Sequence, residues 1–260
     1  MNLILQPPPR QQSTRICRRV FLTFMVAAAG VFSVRSEPET NGIAASKTYL
    51  SDVGRELQKS WPTNRTINIV CDGHSVPAGY FRTPQVDALG AYPNLLRENL
   101  CRRFPHAVIN VIVTAIGGEN SEQGAKRFEL DVLSLRPDVV TIDYALNDRR
   151  IGLARADVAW RKMIEACCSR KIPVLLLTPT ADQSAKLNDP SDPLNQHADQ
   201  IRRLAAEYHV GLVDSFVQFK NFTQAGGDLS ALMSQSNHPN RKGHELVAAE
   251  MLKWFPESAP

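Results

Sequence analysis

Five short apolar runs, each followed by a stretch with helical periodicity, leave this chain few ways to fold. The runs cover residues 66–71, 108–114, 138–144, 173–178 and 210–214. Between them apolar side chains recur three and four positions apart. Tyr92, Leu95, Leu96, Leu100 and Phe104 form one such stripe, and Leu153, Ala156, Trp160, Ile164 and Cys167 form another. Ile201, Leu204, Ala205 and Tyr208 make a third, and Leu246, Val247, Met251 and Trp254 close the chain. Residues 49–60 and 121–135 also read as helix, the second ended by Pro137. Strands that alternate with helices build parallel sheets, and an uninterrupted apolar run is a strand buried on both faces. The pattern predicts an α/β fold: a three-layer α/β/α sandwich with a five-stranded parallel sheet, flavodoxin-like in plan. Residues 179–195 read as a long polar loop, and the stretch between residue 214 and the last helix as irregular.

The N-terminus has a different character. Arg10, Arg15, Arg18 and Arg19 precede an uncharged, mostly apolar run from residue 20 to 34. This is the layout of a secretory signal, and the run is short for a membrane span. Cleavage after Ala29 or Ser36 fits, and an uncleaved membrane anchor is the alternative. Residues 1–36 are therefore assigned to a signal peptide, residues 37–45 to a polar linker and residues 46–260 to one domain. The expected location is export, periplasmic or secreted. The net charge of +4 is carried by the four N-terminal arginines, so the rest is near neutral and no nucleic-acid partner is indicated. No C-x-x-C or Cys/His metal spacing occurs, and adjacent Cys167 and Cys168 suit a helix. The first strand–helix turn has neither G-x-G-x-x-G nor G-x-x-x-x-G-K-[ST], which removes support for a nucleotide. The chain calls for no cofactor and no metal.

The informative polar residues follow the strands. Ser75 comes after the first run, Gly117 and Gly118 after the second, Asn147 and Asp148 after the third, and His238 after the fifth. In a parallel sheet all these ends lie on one edge, where open α/β folds bind ligands. A hydroxyl, an imidazole and hydrogen-bond donors gathered there suit acyl transfer. His106, His197 and His209 read as surface or boundary residues, and His244 as part of the last helix.

Four blocks then resemble the SGNH hydrolases, also called the GDSL-type esterases and lipases. They are Gly73-His74-Ser75-Val76-Pro77-Ala78-Gly79, Ala115-Ile116-Gly117-Gly118-Glu119-Asn120-Ser121, Ala145-Leu146-Asn147-Asp148, and Asn237-His238-Pro239-Asn240 with Gly243-His244. The resemblance implies Ser75 as nucleophile and His238 as general base. It implies an oxyanion hole from the backbone N–H groups of Ser75 and Gly118 and the side chain of Asn147. Three positions depart from the family pattern. His74 stands where an aspartate usually precedes the serine, Ala145 replaces a glycine, and Gln235 occupies the place of the third triad member. A buried carboxylate normally orients the histidine and stabilises the imidazolium. Its loss leaves three alternatives: a Ser75–His238 dyad helped by an amide or a backbone carbonyl, a carboxylate supplied by Asp214 or Asp228, or a degenerate site.

The expected activity is hydrolysis of small acyl esters, acetyl first, on a small-molecule or carbohydrate substrate. A lipid or lysophospholipid esterase is the enzymatic alternative. A carbohydrate-binding or structural domain that kept the fold is the other. Membrane contact is expected only through the N-terminal segment.

Overall fold

The computed structural model describes residues 42–257. The expected signal peptide, residues 1–36, and residues 37–41 of the expected linker lie outside these described residues. The elements run α1 (Ser51–Leu57), β1 (Thr66–Gly73), α2 (Tyr92–Arg103), β2 (Val108–Val113), α3 (Ser121–Asp131), β3 (Val139–Asp143) and α4 (Ala145–Asp148). They continue with α5 (Leu153–Ser169), β4 (Val174–Leu177), α6 (Pro193–Tyr208), β5 (Gly211–Val213), α7 (Ser215–Gln224), β6 (Met233–Gln235), β7 (His238–Pro239) and α8 (Arg241–Leu252). Five strands form one parallel sheet in the order β2-β1-β3-β4-β5, and β6 and β7 make a separate antiparallel hairpin.

Side chains alternate across each strand, so one strand feeds two cores. Ile67, Ile69 and Cys71 of β1 face a cluster with Leu96 and Leu100 of α2 and Val247 and Met251 of α8. Val70, with Val140 and Ile142 of β3, faces the opposite cluster with Phe128 of α3 and Trp160 and Ile164 of α5. The expected sandwich of helices on both faces of a five-stranded parallel sheet is what forms.

The chain leaves β1 to build β2 on one side, then returns to build β3 on the other. That reversal opens a crevice at the carboxyl ends of β1 and β3. Ser75 follows β1 and Asn147 follows β3.

Three segments differ from the expectation. The stretch after β5 is not irregular: Asp214 caps α7, and the β6–β7 hairpin carries His238. The loop after β4 ends earlier, because Asp192 caps α6 and Pro193 occupies its first turn, where no N–H partner is needed. His197 is buried rather than at the surface. It lies on the Leu194, His197, Ala198, Ile201 stripe, and burial pulls its pKa down to about 4. Packed chain also begins before the expected boundary at Ser46, since Ala44 donates its N–H to the Val210 carbonyl at 3.2 Å.

Candidate active site

β1 ends in a turn that only glycine fits. A Cβ on Gly73 would stand 2.5 Å from the Asp143 carbonyl oxygen and 2.8 Å from Pro77 Cγ. The close approach brings the His74 N–H to that same carbonyl at 3.2 Å and starts the turn that presents Ser75. Ser75, Asn147 and His238 are 7%, 6% and 5% exposed, so all three side chains are largely withdrawn from solvent.

Ser75 Oγ lies 2.8 Å from His238 Nε2. The other ring nitrogen, Nδ1, lies 2.8 Å from the Phe81 carbonyl oxygen. A carbonyl only accepts, so Nδ1 carries the proton and the lone pair of Nε2 faces the serine hydroxyl. Burial lowers the His238 pKa below 6.5; the Phe81 carbonyl pulls the other way, and nearby His74 lowers it further. The imidazole is therefore neutral near pH 7.

None of the three side chains considered as orienting groups hydrogen-bonds to the His238 ring. Gln235 sits opposite His238 in the hairpin, but its Oε1 accepts the Thr83 N–H at 2.9 Å and its Nε2 donates to Asn237. Asp214 caps α7 and pairs with Arg202 and the Thr178 hydroxyl. Asp228 caps the short 3-10 turn Leu229–Leu232 through Ser230. Of the alternatives open in the sequence, the backbone carbonyl is the one observed. Gln235 acts one step away, by holding the 80–86 segment that carries the carbonyl. That segment closes on itself through Phe81 N–H to the Gln85 carbonyl at 3.1 Å and a bridge between Tyr80 and Val86.

The glycine block and the asparagine block meet. Gly118 has φ +85°, and a Cβ there would have no neighbour within 4 Å, so its surroundings are open. Asn147 Nδ2 donates one hydrogen to the Glu119 carbonyl at 2.8 Å, which ties its amide to the Gly118 segment. Asn120 and Gln123 form a reciprocal capping box that starts α3 directly after this segment.

Charges below the site are paired. Asp72, fully buried, accepts from Arg127, Thr114 and the Tyr144 hydroxyl. Burial nevertheless raises its pKa to about 6. Asp148 accepts the Ser121 N–H and Trp160 Nε1–H, and burial raises its pKa also. Arg149 pairs with Asp182 at 2.7 Å. His244 is on α8, accepts the Tyr92 N–H and stacks on Phe81; burial takes its pKa to about 3.

Sequence reasoning missed the Phe81 carbonyl, because a backbone acceptor leaves no residue signature. It also passed over Asp143, the acidic residue ending an otherwise apolar buried strand, a signal that was legible.

A parallel α/β/α sandwich with a buried serine–imidazole pair at its switch point defines a hydrolase of SGNH type. The family model for the GDSL-like lipase/acylhydrolase family matches residues 71–246. The chain belongs to that family, and so to the carboxylic ester hydrolases. Among solved structures, it is similar to the acetylxylan esterase of Geobacillus stearothermophilus, with a TM-score of 0.63 at 21% identity over 73% of this chain and 94% of that one. It is also similar to a two-domain esterase active on acetylated mannans, with a TM-score of 0.67 at 23% identity. That match covers 83% of this chain but only 54% of the mannan esterase. Solved catalytic mutants of the Geobacillus enzyme replace a serine, an aspartate and a histidine, the aspartate three residues before the histidine. Three residues before His238, this chain has Gln235. No curated protein sequence matches the chain.

Proposed function

We propose that this protein is an exported serine esterase that removes small acyl groups, acetyl above all, from hydroxyls of a carbohydrate. The observation that carries the reading is the Ser75–His238 hydrogen bond, with the imidazole tautomer set by the Phe81 carbonyl. His238 takes the serine proton as Oγ attacks the ester carbonyl. The free hydrogen of the Asn147 amide and the N–H groups of Ser75 and Gly118 receive the oxyanion. The tetrahedral adduct collapses, His238 returns the proton to the departing sugar hydroxyl, and an acyl group remains on Ser75. Water, deprotonated by His238, then attacks the acyl group; the bond to Ser75 Oγ breaks, His238 returns the proton to Oγ, and the acid leaves.

The carbohydrate part rests on two supports. The structural relatives include esterases of acetylated xylan and mannan. Beside the imidazole stands the half-buried Tyr80 ring, 6.2 Å from the His238 ring by centroid. An aromatic face at that point suits the apolar face of a pyranose. Export rests on the arginine-led apolar segment near the N-terminus.

The test is acetate release from acetylated xylo- and manno-oligosaccharides, beside p-nitrophenyl acetate and a long-chain p-nitrophenyl ester. Wild-type protein should release acetate and take up a serine-directed phosphonate at Ser75. Ser75→Ala should do neither while keeping its circular dichroism. Turnover equal in wild type and Ser75→Ala rejects the assignment. A preference for the long-chain ester replaces the carbohydrate with a lipid substrate.

A further inference from the structure

The buried carboxylate missing behind His238 is present on the other side of the serine. His74, in the place of the family's usual aspartate, is wholly buried, as is Asp143 at the end of β3. The Val76 N–H lies 3.2 Å from His74 Nδ1, which makes Nδ1 an acceptor and leaves the ring proton on Nε2. Asp143 Oδ1 lies 3.4 Å from Nε2. The contact lacks hydrogen-bond geometry, and among the described residues neither atom has a hydrogen-bond partner. On its near side, His74 Nδ1 is 3.4 Å from Ser75 Oγ. The nucleophile thus stands between two imidazoles: His238 backed by a neutral carbonyl, and His74 backed by a carboxylate.

We propose that Asp143 and His74 form the acidic unit of this site, supplying from behind Ser75 the negative charge that Gln235 cannot supply from behind His238. The inference rests on the esterase reading above. In the acylation step the proton moves from Ser75 Oγ to His238 Nε2, and the imidazolium so formed faces a buried negative unit across the serine. His74, whose Nδ1 accepts the Val76 N–H, takes no proton from the serine and acts as a positioning residue between Asp143 and the nucleophile.

The neighbouring ionisable groups do not fill this role. From α2, the Tyr92 hydroxyl donates to Asp143 Oδ2 at 3.1 Å. From β1, Asp72 is bound to Arg127, and burial pushes the Cys71 thiol up to about 12. From α4, Asp148 is occupied by Ser121 and Trp160. From α8, His244 is held neutral.

Asp143→Asn tests the charge alone. The amide oxygen can accept from His74 and the amide nitrogen can donate to Tyr92, so the contacts survive. His74→Asn is the companion: its side-chain oxygen falls near the former Nδ1 and can still accept from Val76. It also leaves Asp143 without the imidazole beside it. Steady-state rates on p-nitrophenyl acetate are read per folded molecule from pH 4 to 9. In either variant kcat should fall at least tenfold with KM little changed. In Asp143→Asn the acid limb of kcat/KM should move down by about half to one pH unit, because the site loses a negative charge that favours protonation of His238. The double variant should be no worse than the poorer single, since both remove one unit. Unchanged rates in both variants, or a loss of rate with an unmoved limb in Asp143→Asn, overturn the proposal and make the pair a packing feature. An inactive wild type that takes no phosphonate at Ser75 removes the esterase reading itself, and this inference with it.

Discussion

At the scale of single residues, the site depends on where hydrogens sit. The Phe81 carbonyl commits His238 Nδ1 as donor, and that alone frees Nε2 to accept from Ser75. The base is the neutral form, so activity is present above the His238 pKa and lost as pH falls through it. Burial holds that pKa below 6.5, so the acid limb of kcat/KM is expected below pH 6.5. A pH–rate profile on p-nitrophenyl acetate checks this, and a limb above 6.5 would contradict it. Asn147 carries the second prediction at this scale. Its amide is anchored on Glu119 with one hydrogen left over. Asn147→Ala should lower kcat by about 10²–10³-fold with a small change in KM, the usual loss for one oxyanion donor.

At the scale of elements, short caps and clamps hold the catalytic positions. Asn240 begins α8 two residues after His238, accepting the Gly243 N–H at 3.2 Å and donating to the Ala231 carbonyl at 2.9 Å. His-Pro-Asn in the sequence suits a helix start, and the structure divides the work: Asn240 caps, and His238 is free to meet Ser75. Asn240→Ala should cost about 1 kcal/mol of stability, readable as a lower urea midpoint. It should also lower kcat, because the hairpin carrying the imidazole loses its stop. The clamp from Gln235 to Thr83 belongs to the same scale. It braces the segment whose carbonyl replaces a carboxylate, so Gln235 is structural support for the histidine and not its partner.

At the scale of the whole molecule, one ionic cluster joins the strand ends. Arg127 of α3 reaches Asp72 of β1, Glu119 of the glycine block and the Tyr144 hydroxyl after β3. Asp72 is fully buried, so removing its cation leaves an uncompensated charge. Arg127→Met should destabilise by about 3 kcal/mol, the scale of a broken buried pair. Adding Asp72→Asn should restore much of that loss, measured by urea unfolding of the single and double variants. If the two changes simply add, the cluster is not acting as a pair.

The layers, the strand ends and the four polar blocks could be read from the chain, because burial imposes periods of two and 3.6 that survive in one dimension. The same periodicity could have placed His197 inside, had its stripe been followed. Helix α7 was harder, since its apolar face is short and its start depends on the Asp214 cap. Which group orients His238 could be read only as a set of alternatives, a backbone carbonyl among them, with no residue named for it. It is a main-chain oxygen brought 157 positions along the sequence by the folding of the 80–86 segment against the β6–β7 hairpin. Residue identity names side chains and says nothing of which carbonyl will lie within hydrogen-bond reach. The pairing of His74 with Asp143 is likewise a fact of the parallel register of β1 and β3, which sets Gly73 beside Asp143. Sequence determined which chemical groups stand at the edge of the sheet; only the tertiary structure decided which of them face one another, because that depends on distances the chain acquires when it folds.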